Sequence, residues 1–273
     1  MNFKVITAIA QRDLLQIIRS KDVVIPMIIL PVILMLLLPG LIGFLGPVMA
    51  VQYPSELDDI RTFLDRMPEN IAVELQGYNE LQTLIVLFIN YFFAPFFLIM
   101  PLMVSSTIAA NSFAGEKERK TLENLLYTPA TDFELFAGKF CAAWIPALLV
   151  SFGSFIIYAL TANFAAWSTM QQLFFPNFMW LILVVWVAPA AAGLGLGTMM
   201  LVSSKAQTYQ GAYQTGSMVV LPVILLVLGQ VSGVLYFSPG VVFIVGLVLW
   251  VIDALVLWFA VQTFQRTSII TRI

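Results

Sequence analysis

Residues 111–129 read NSFAGEKERKTLENLLYTP, and this stretch decides how the rest of the chain is organised. Seven charged or amide side chains lie between positions 116 and 124, whereas the runs on either side are predominantly apolar. Such a dense group of polar side chains is too costly to place in the hydrocarbon of a bilayer. The stretch is therefore predicted to be a water-exposed loop between two membrane spans.

The composition indicates an integral membrane protein with several spans. Of the 273 residues, 60% are hydrophobic and only 10% are charged, whereas soluble domains carry about 25% charged residues. The chain has no histidine and a single cysteine, Cys141. These counts exclude histidine general-base chemistry, histidine-ligated haem or zinc, an internal disulfide and a cysteine cluster.

Six apolar segments are long enough to cross a bilayer, which takes about 20 residues of helix. The predicted spans cover residues 23–46, 83–109, 138–163, 177–202, 215–235 and 241–263. The apolar run after Asp22 is longer than the hydrophobic region of a signal peptide, about 7–15 residues, so we expect a retained span. The predicted fold class is an all-α integral membrane protein with a six-span domain over residues 23–273.

Two amphipathic segments flank the first span. In residues 1–22, apolar residues at helical spacing and a basic polar face predict a helix in the headgroup plane. A plain cytoplasmic lead-in helix is the alternative. Residues 47–81 carry seven acids but only Arg61 and Arg66 as bases. They are predicted to form a short extracytoplasmic loop, with one amphipathic helix before Pro68.

The distribution of basic residues predicts the orientation, because Lys and Arg are enriched in short cytoplasmic segments of membrane proteins. With six spans, both termini and the loops 110–139 and 203–214 lie on one side, which holds eleven of the thirteen basic residues. These are Lys4, Arg12, Arg19, Lys21, Lys117, Arg119, Lys120, Lys139, Lys205, Arg266 and Arg272. Both termini and the stretch 111–129 are therefore predicted to be cytoplasmic.

The predicted cytoplasmic region, residues 111–137, has a helix–break–helix pattern. A helix from Glu116 to Tyr127 would place three leucines on one face and end at the proline that closes the stretch. Thr131 and Glu134 then have the spacing of a capping box, which would begin the helix of span 3. An ordinary solvated loop with local charge pairs is the alternative, although the leucine face needs a partner groove to be stable.

The chain has no phosphate-binding loop of the type GxxxxGK[ST], so we do not expect it to hydrolyse ATP. The spacing Gly193-x-Gly195-x-Gly197 lies within predicted span 4, without the strand and acidic residue of a dinucleotide-binding loop. Small residues in a membrane helix favour close helix packing, and that is the interpretation we prefer.

Residues 115–129, GEKERKTLENLLYTP, together with Glu134 and Gly138-Lys139, resemble the cytoplasmic segment of ABC-2-type permeases. These are the membrane subunits of one class of ABC exporter. The typical run in that family is similar to GEKERGTLExLLxTP, so Lys120 stands where glycine is frequent. The basic N-terminal helix, the six spans and the large loop after span 1 match as well. Residues 207–214, QTYQGAYQ, resemble the second cytoplasmic loop of NatB-like members.

The resemblance implies a cytoplasmic coupling helix between spans 2 and 3 that binds a separate ABC ATPase subunit. ATP and Mg²⁺ would act on that partner, and this chain would bind no cofactor or metal. A second permease copy or a paralogue, membrane lipid and the cytoplasmic (inner) membrane of a prokaryote are also implied, but no nucleic acid. The residues implied to contact the ATPase subunit are Gly115, Glu116, Lys117, Glu118, Arg119, Thr121, Leu122, Glu123, Leu125 and Leu126.

Two features within the spans are candidates for a transport path. Asp253 is the one clear acid inside a predicted span, and such acids usually face a bundle interior or a watery cavity. It is a candidate contact for a cation, a proton or a substrate. Alternatively, it bonds to a neighbouring helix or reaches the cytoplasmic end of span 6. The aromatic patch consists of Phe92, Phe93, Phe96 and Phe97, and it either lines an apolar substrate surface or faces lipid or a subunit interface.

The sequence thus predicts the membrane-spanning permease subunit of an ABC exporter, which couples ATP hydrolysis on a partner to efflux and is not itself an enzyme. An ATP-independent secondary transporter or channel is the alternative, although it has no evident need for the leucine-faced helix. An intramembrane enzyme is disfavoured, because histidine is absent and Asp253 stands alone.

Overall fold

The computed structural model describes residues 2–52, 73–120, 130–206, 208–232 and 235–263. Within these residues every regular element is a helix and none is a strand, which confirms the predicted all-α class. Six helices are long and apolar enough to cross a membrane. The predicted amphipathic helix before Pro68 and the predicted leucine face lie outside the described residues.

Each of the six spans overlaps one of the six predicted segments. They are Met27–Val48, Glu80–Glu118, Phe133–Ala165, Phe178–Lys205, Tyr209–Gln230 and Pro239–Gln262, called spans 1 to 6 below. An N-terminal helix, Phe3–Arg19, precedes span 1. Span 2 differs most from its prediction, because it continues as a helix to Glu118 rather than ending near residue 109.

Several spans consist of consecutive helical segments. The α-helices within and beside the spans are Lys21–Gln52, Glu80–Val86, Ala94–Phe97, Ile99–Ala110, Glu116–Glu118, Asp132–Ala165, Trp167–Met170, Phe178–Ile182, Ala188–Lys205, Tyr209–Gly216, Leu221–Val231 and Pro239–Thr263. Three π-helical segments cover Leu87–Phe92, Asn111–Gly115 and Leu183–Val187, and a 3₁₀ segment covers Ser217–Val220. Such π-segments are rare and are frequently found at functional sites.

Spans 2 and 4 form the centre of the bundle, and most of their residues are buried. Spans 1, 3, 5 and 6 present long rows of exposed apolar side chains on the outside, as expected of helices that face lipid. A Cβ atom added to Gly195 of span 4 would lie 2.6 Å from the carbonyl oxygen of Leu102 in span 2. Gly193 and Gly197 face span 6 instead. The three glycines therefore allow close packing on both sides of span 4, as the sequence predicts.

The N-terminal half of span 2 is fixed by side chains from three other spans. Pro95 has no amide hydrogen, so the carbonyl of Tyr91 lacks its ordinary helical donor. Gln230 of span 5 donates to this carbonyl through Nε2 at 2.7 Å. The two preceding carbonyls accept hydrogen bonds from Tyr158 of span 3 and Trp180 of span 4, each at 2.7 Å. Backbone groups that the π-segment exposes thus find partners inside the protein, as a bilayer requires.

The described end of the 47–81 loop is attached to the same half of the bundle. The hydroxyl of Tyr91 donates to the carboxylate of Glu74, and the amide of Asn177 donates to the same carboxylate at 3.4 Å. Asn79 then begins span 2 with a capping box, in which its side chain accepts from the backbone of Gln82 at 2.9 Å. The loop therefore returns to the bundle through polar contacts at the N-terminal end of span 2.

Replacing Gly195 with alanine is expected to loosen the central pair of spans. The new methyl group would overlap the backbone carbonyl of Leu102, which cannot rotate away, and overpacking of this kind costs about 1–3 kcal/mol. The matched control is Gly153→Ala in span 3, where the added methyl meets nothing within 4 Å. Thermal unfolding in detergent should show a lower midpoint for Gly195→Ala alone. Equal midpoints would contradict the close approach of spans 2 and 4.

Candidate functional site

The N-terminal helix lies against the beginning of span 3. Its buried face consists of Ile6, Ala10, Asp13 and Ile17. Gly138 of span 3 permits this contact, since a Cβ atom there would lie 2.8 Å from Ile9. Three of the four buried residues are apolar, whereas the fourth, Asp13, is an acid that is 2% exposed. A carboxylate at such a position requires a cation or hydrogen-bond donors.

Lys139 of span 3 supplies that cation, and its side chain is fully buried. The ammonium group of Lys139 lies 3.2 Å from the carboxylate of Asp13 and 2.7 Å from that of Glu116. It also donates to the backbone carbonyl of Ser112 at 2.8 Å. All three ammonium protons therefore have acceptors. The ring of Phe113 lies 5.3 Å from the same nitrogen, within the range of a cation–π contact.

Arg12 also contacts the two carboxylates, and it lies between them and solvent. Its guanidinium contacts the second oxygen of Glu116 and lies 2.9 Å from Asp13, while the Arg12 side chain remains 46% exposed. Glu116 and Asp13 are each 2% exposed. We call Arg12, Asp13, Glu116 and Lys139 the ionic cluster. It contains two carboxylates and two cations, so its formal charge is zero.

The ionic cluster joins three elements at the predicted cytoplasmic end of the bundle: the N-terminal helix, the end of span 2 and the beginning of span 3. A buried ion pair is not in itself a source of stability, because desolvation offsets much of the attraction. Removing one partner is costly, however, since it leaves a buried charge uncompensated. The cluster therefore fixes the relative position of the three helices more than it stabilises any one of them.

The last turn of span 2 also contacts the segment between spans 4 and 5. Lys117 donates to the backbone carbonyl of Ala206 at 3.3 Å. Glu118 accepts a hydrogen bond from the backbone amide of Tyr209 at 2.8 Å, at the N-terminus of span 5. A carboxylate is favourable there, because the first amides of a helix lack partners and carry partial positive charge. Arg119 reaches back to Asn111 at 3.4 Å.

The other flank of the polar stretch returns to the N-terminal helix. Thr131 and Glu134 form the predicted capping box, with their two hydrogen bonds at 3.2 and 3.0 Å. The second oxygen of Glu134 accepts from the backbone amide of Asn2 at 2.6 Å. Residues 121–129 are thus flanked on both sides by positions that contact the N-terminal helix.

The residues predicted to contact an ATPase subunit divide into two groups. Gly115 and Glu116 are buried within the protein, and Lys117, Glu118 and Arg119 make the contacts given above. The remaining predicted residues, Thr121, Leu122, Glu123, Leu125 and Leu126, lie outside the described residues. Contact with an ATPase subunit stays a prediction for all of them. Lys120 has a φ of 56°, a left-handed conformation that interrupts the predicted helix from Glu116 to Tyr127, so the helix ends at Glu118.

The aromatic patch of span 2 is part of the protein interior. Phe97 is fully buried, with its ring 5.5 Å from that of Trp180, and Phe93 is also buried. Phe92 and Phe96 are half-buried, and their rings contact each other at 6.3 Å. A role for these four phenylalanines in a transport path stays a prediction.

Asp253 lies near the middle of span 6 and is 2% exposed. Neither carboxylate oxygen has a hydrogen-bond partner among the described residues. Its Oδ2 would be 2.4 Å from a Cβ atom placed on Gly193, so the carboxyl group lies directly on the backbone of span 4. The structure therefore does not provide the hydrogen bond to a neighbouring helix that was one interpretation of this residue.

The ionic cluster is the feature that sequence reasoning missed, although two signals were present. Asp13 interrupts an otherwise apolar stripe on the N-terminal helix, and Lys139 stands among apolar and small residues at the beginning of span 3. Each residue alone is an unfavourable charge on a buried face, and together they neutralise each other. Among the described residues, no group of three or more His, Cys, Asp or Glu side chains could hold a metal ion.

A family model described as "ABC-2 family transporter protein" matches residues 7–238 of the chain. The match begins in the N-terminal helix and ends just before span 6, so it includes the whole ionic cluster and the polar stretch. A comparison with curated protein sequences gives no match.

Replacing Lys139 with methionine is expected to destabilise the protein by about 3–5 kcal/mol, because it removes the buried cation that lies between two buried carboxylates, those of Asp13 and Glu116. The control is Lys205→Met, which removes an exposed lysine at the end of span 4. Denaturant or thermal unfolding of the purified chain measures both effects.

The double variant Lys139→Met/Asp13→Asn distinguishes a charge effect from a loss of packing. It leaves Arg12 and Glu116 as a balanced pair, so part of the lost stability should return. If the two substitutions were simply additive in their destabilisation, the ionic cluster would not act as a unit.

Proposed function

Because the chain belongs to the ABC-2 transporter family and is a permease component of an ABC-type transporter, we propose that it couples ATP hydrolysis on a separate subunit to efflux of a substrate. The chain is a multi-pass membrane protein. The partner subunit binds ATP and Mg²⁺. Two permease subunits, identical or paralogous, pair in the cytoplasmic membrane of a prokaryote and each binds an ATPase subunit.

The observation that supports coupling between an ATPase subunit and the spans is a set of contacts made by residues just before and just after residues 121–129 in the sequence. Glu116 attaches the end of span 2 to the N-terminal helix and to span 3. Glu118 attaches the same turn to the beginning of span 5. Glu134 attaches the beginning of span 3 to the first residues of the chain. A partner that displaces residues 121–129 therefore acts on four elements together.

Transmission follows from how these elements continue into the membrane. Span 2 is a run of consecutive helical segments from Glu80 to Glu118 and forms the bundle centre with span 4. Closely packed interiors do not deform gradually, so a displacement at one end moves the whole helix. The ionic cluster carries the N-terminal helix along with spans 2 and 3. Closure of two ATPase subunits on ATP would thus move the centre of each permease against its outer spans.

Replacing Leu122 and Leu126 together with aspartate is expected to abolish co-purification of a co-expressed ABC ATPase subunit. The leucines form the apolar face of the predicted coupling helix, and two carboxylates cannot enter an apolar groove without partners. The matched control is Leu122→Met/Leu126→Met, which keeps an apolar face of similar volume.

Membrane insertion of both double variants should equal that of the wild type, because the positions lie between spans 2 and 3. Undiminished co-purification of the aspartate variant would contradict the coupling helix. Transport that continues when the phosphate-binding lysine of the ATPase partner is replaced would favour the alternative, an ATP-independent transporter or channel.

The proposed orientation can be tested with single cysteines in a Cys141→Ala background. Ser168 follows span 3 and Gln210 begins span 5, and both are exposed at opposite ends of the bundle. In intact cells, a membrane-impermeant maleimide should label Ser168→Cys, whereas Gln210→Cys should react only after permeabilisation. The reverse pattern would place the polar stretch outside the cytoplasm.

A further inference from the structure

The interface between spans 4 and 6 contains a buried carboxyl group that the coupling mechanism does not use. Asp253 lies fourteen positions after Pro239 and ten before Thr263, the two ends of its helix. At about 1.5 Å per residue, the carboxyl group is therefore at least roughly 15 Å from either end of that helix. It lies deep in the region that the hydrocarbon of a bilayer would surround.

Within the described residues of spans 4 and 6, no charged or titratable side chain faces this group. Span 4 forms the main surface packed against span 6, and residues 178–204 contain no Asp, Glu, Lys, Arg, Cys or Tyr. Span 6 itself has no such residue besides Asp253. Lys205 is twelve positions beyond Gly193, about 18 Å along the helix. Lys139, the buried lysine of span 3, is bonded within the ionic cluster.

The surroundings of Asp253 suit a neutral acid and not a carboxylate. An ionised carboxylate without a cation or hydrogen-bond donor in a low-dielectric interior is strongly unfavourable. Protonation removes most of that cost. A metal ion would need several oxygen or nitrogen ligands, and no suitable group of acidic, His or Cys side chains is found in the described part of the chain.

Gly193 provides the space for the acid. With any side chain at position 193, the Cβ atom would lie within 2.4 Å of Oδ2 and 3.1 Å of the carboxyl carbon. The carboxyl group therefore occupies the volume of the missing side chain and contacts the helix backbone. Separation of spans 4 and 6 by a few ångströms would leave this volume open to water.

We propose that Asp253 is a proton-binding site of the transporter. Its carboxyl group carries a proton while spans 4 and 6 are packed together, and releases the proton when the two spans separate and water reaches it. The ligand is thus a proton, bound in one arrangement of the spans and exchanged in the other. The site is independent of residues 121–129, so it holds whether or not these residues bind an ATPase subunit.

Infrared difference spectroscopy of the full chain in lipid membranes tests the bound proton directly. The spectrum of the wild type minus that of Asp253→Asn should contain the carbonyl band of a protonated carboxylic acid, shifted in heavy water. The asparagine side chain has nearly the same shape as the neutral acid, so this variant should fold and insert normally. Carboxylate bands in place of the acid band would overturn the proposal.

Hydrophobic carbodiimide provides a second measurement, because it reacts with protonated carboxyl groups in apolar surroundings. Peptide mass spectrometry should locate the adduct on Asp253, and the rate should fall as the pH rises. Asp13 and Glu116 serve as internal controls, since they are equally buried but paired with cations, and should remain unmodified. Modification of these two acids at the rate of Asp253 would contradict a specific proton site.

The release of the proton is tested by forcing spans 4 and 6 apart with Gly193→Ala. The added methyl would overlap Oδ2 of Asp253, so the packed interface has to open, and exchange of the acid proton in heavy water should become at least severalfold faster. Gly153→Ala, with open space around its added methyl, should exchange at the rate of the wild type. An unchanged exchange rate in Gly193→Ala would show that proton release does not depend on the packing of the two spans.

Discussion

The ammonium group of Lys139 is fully buried and must be neutralised where it lies, and this requirement organises the predicted cytoplasmic end of the protein. Its two carboxylate partners come from the N-terminal helix and from span 2, more than twenty positions away along the chain. A lysine in an apolar interior without partners would cost several kcal/mol. The protein can therefore adopt this arrangement only when three separate helices meet at the same point.

This constraint also explains why span 2 is longer than its hydropathy indicates. The apolar run ends near residue 110, yet the helix continues to Glu118. The carboxylate of Glu116 finds Lys139 and Arg12 inside the protein, so a polar turn stays helical where hydropathy alone predicts a break. The π-segment Asn111–Gly115 turns the side chains that follow it and leaves the Ser112 carbonyl within reach of Lys139. Span 2 therefore stays helical as far as Glu118, next to the residues that we assign to the ATPase contact.

The sequence predicts the features of this fold that depend on neighbouring residues. Spans follow from long apolar runs, and the capping box of Thr131 follows from a spacing of three residues. The ionic cluster joins positions 104 and 126 residues apart, and no local pattern pairs Asp13 with Lys139. For Asp253, the sequence indicates an acid within a span, but only the structure places it on Gly193 without a donor. The ionic cluster and the surroundings of Asp253 both depend on how distant helices pack together, which the sequence pattern does not show.

Two buried acids of this chain, Glu116 and Asp253, differ in their surroundings. This difference decides whether the side chain holds helices together or exchanges a proton. Glu116 and Asp253 are equally hidden from solvent. Glu116 faces an ammonium and a guanidinium, so it is paired inside the protein and holds helices together. Asp253 faces a glycine backbone, so a charge is tolerated there only after the helices part. A movement that begins at the ionic cluster and separates spans 4 and 6 would consequently change the protonation of Asp253. Conversely, protonation of Asp253 would favour the packed arrangement by the same free energy, since binding and conformation are reciprocally linked.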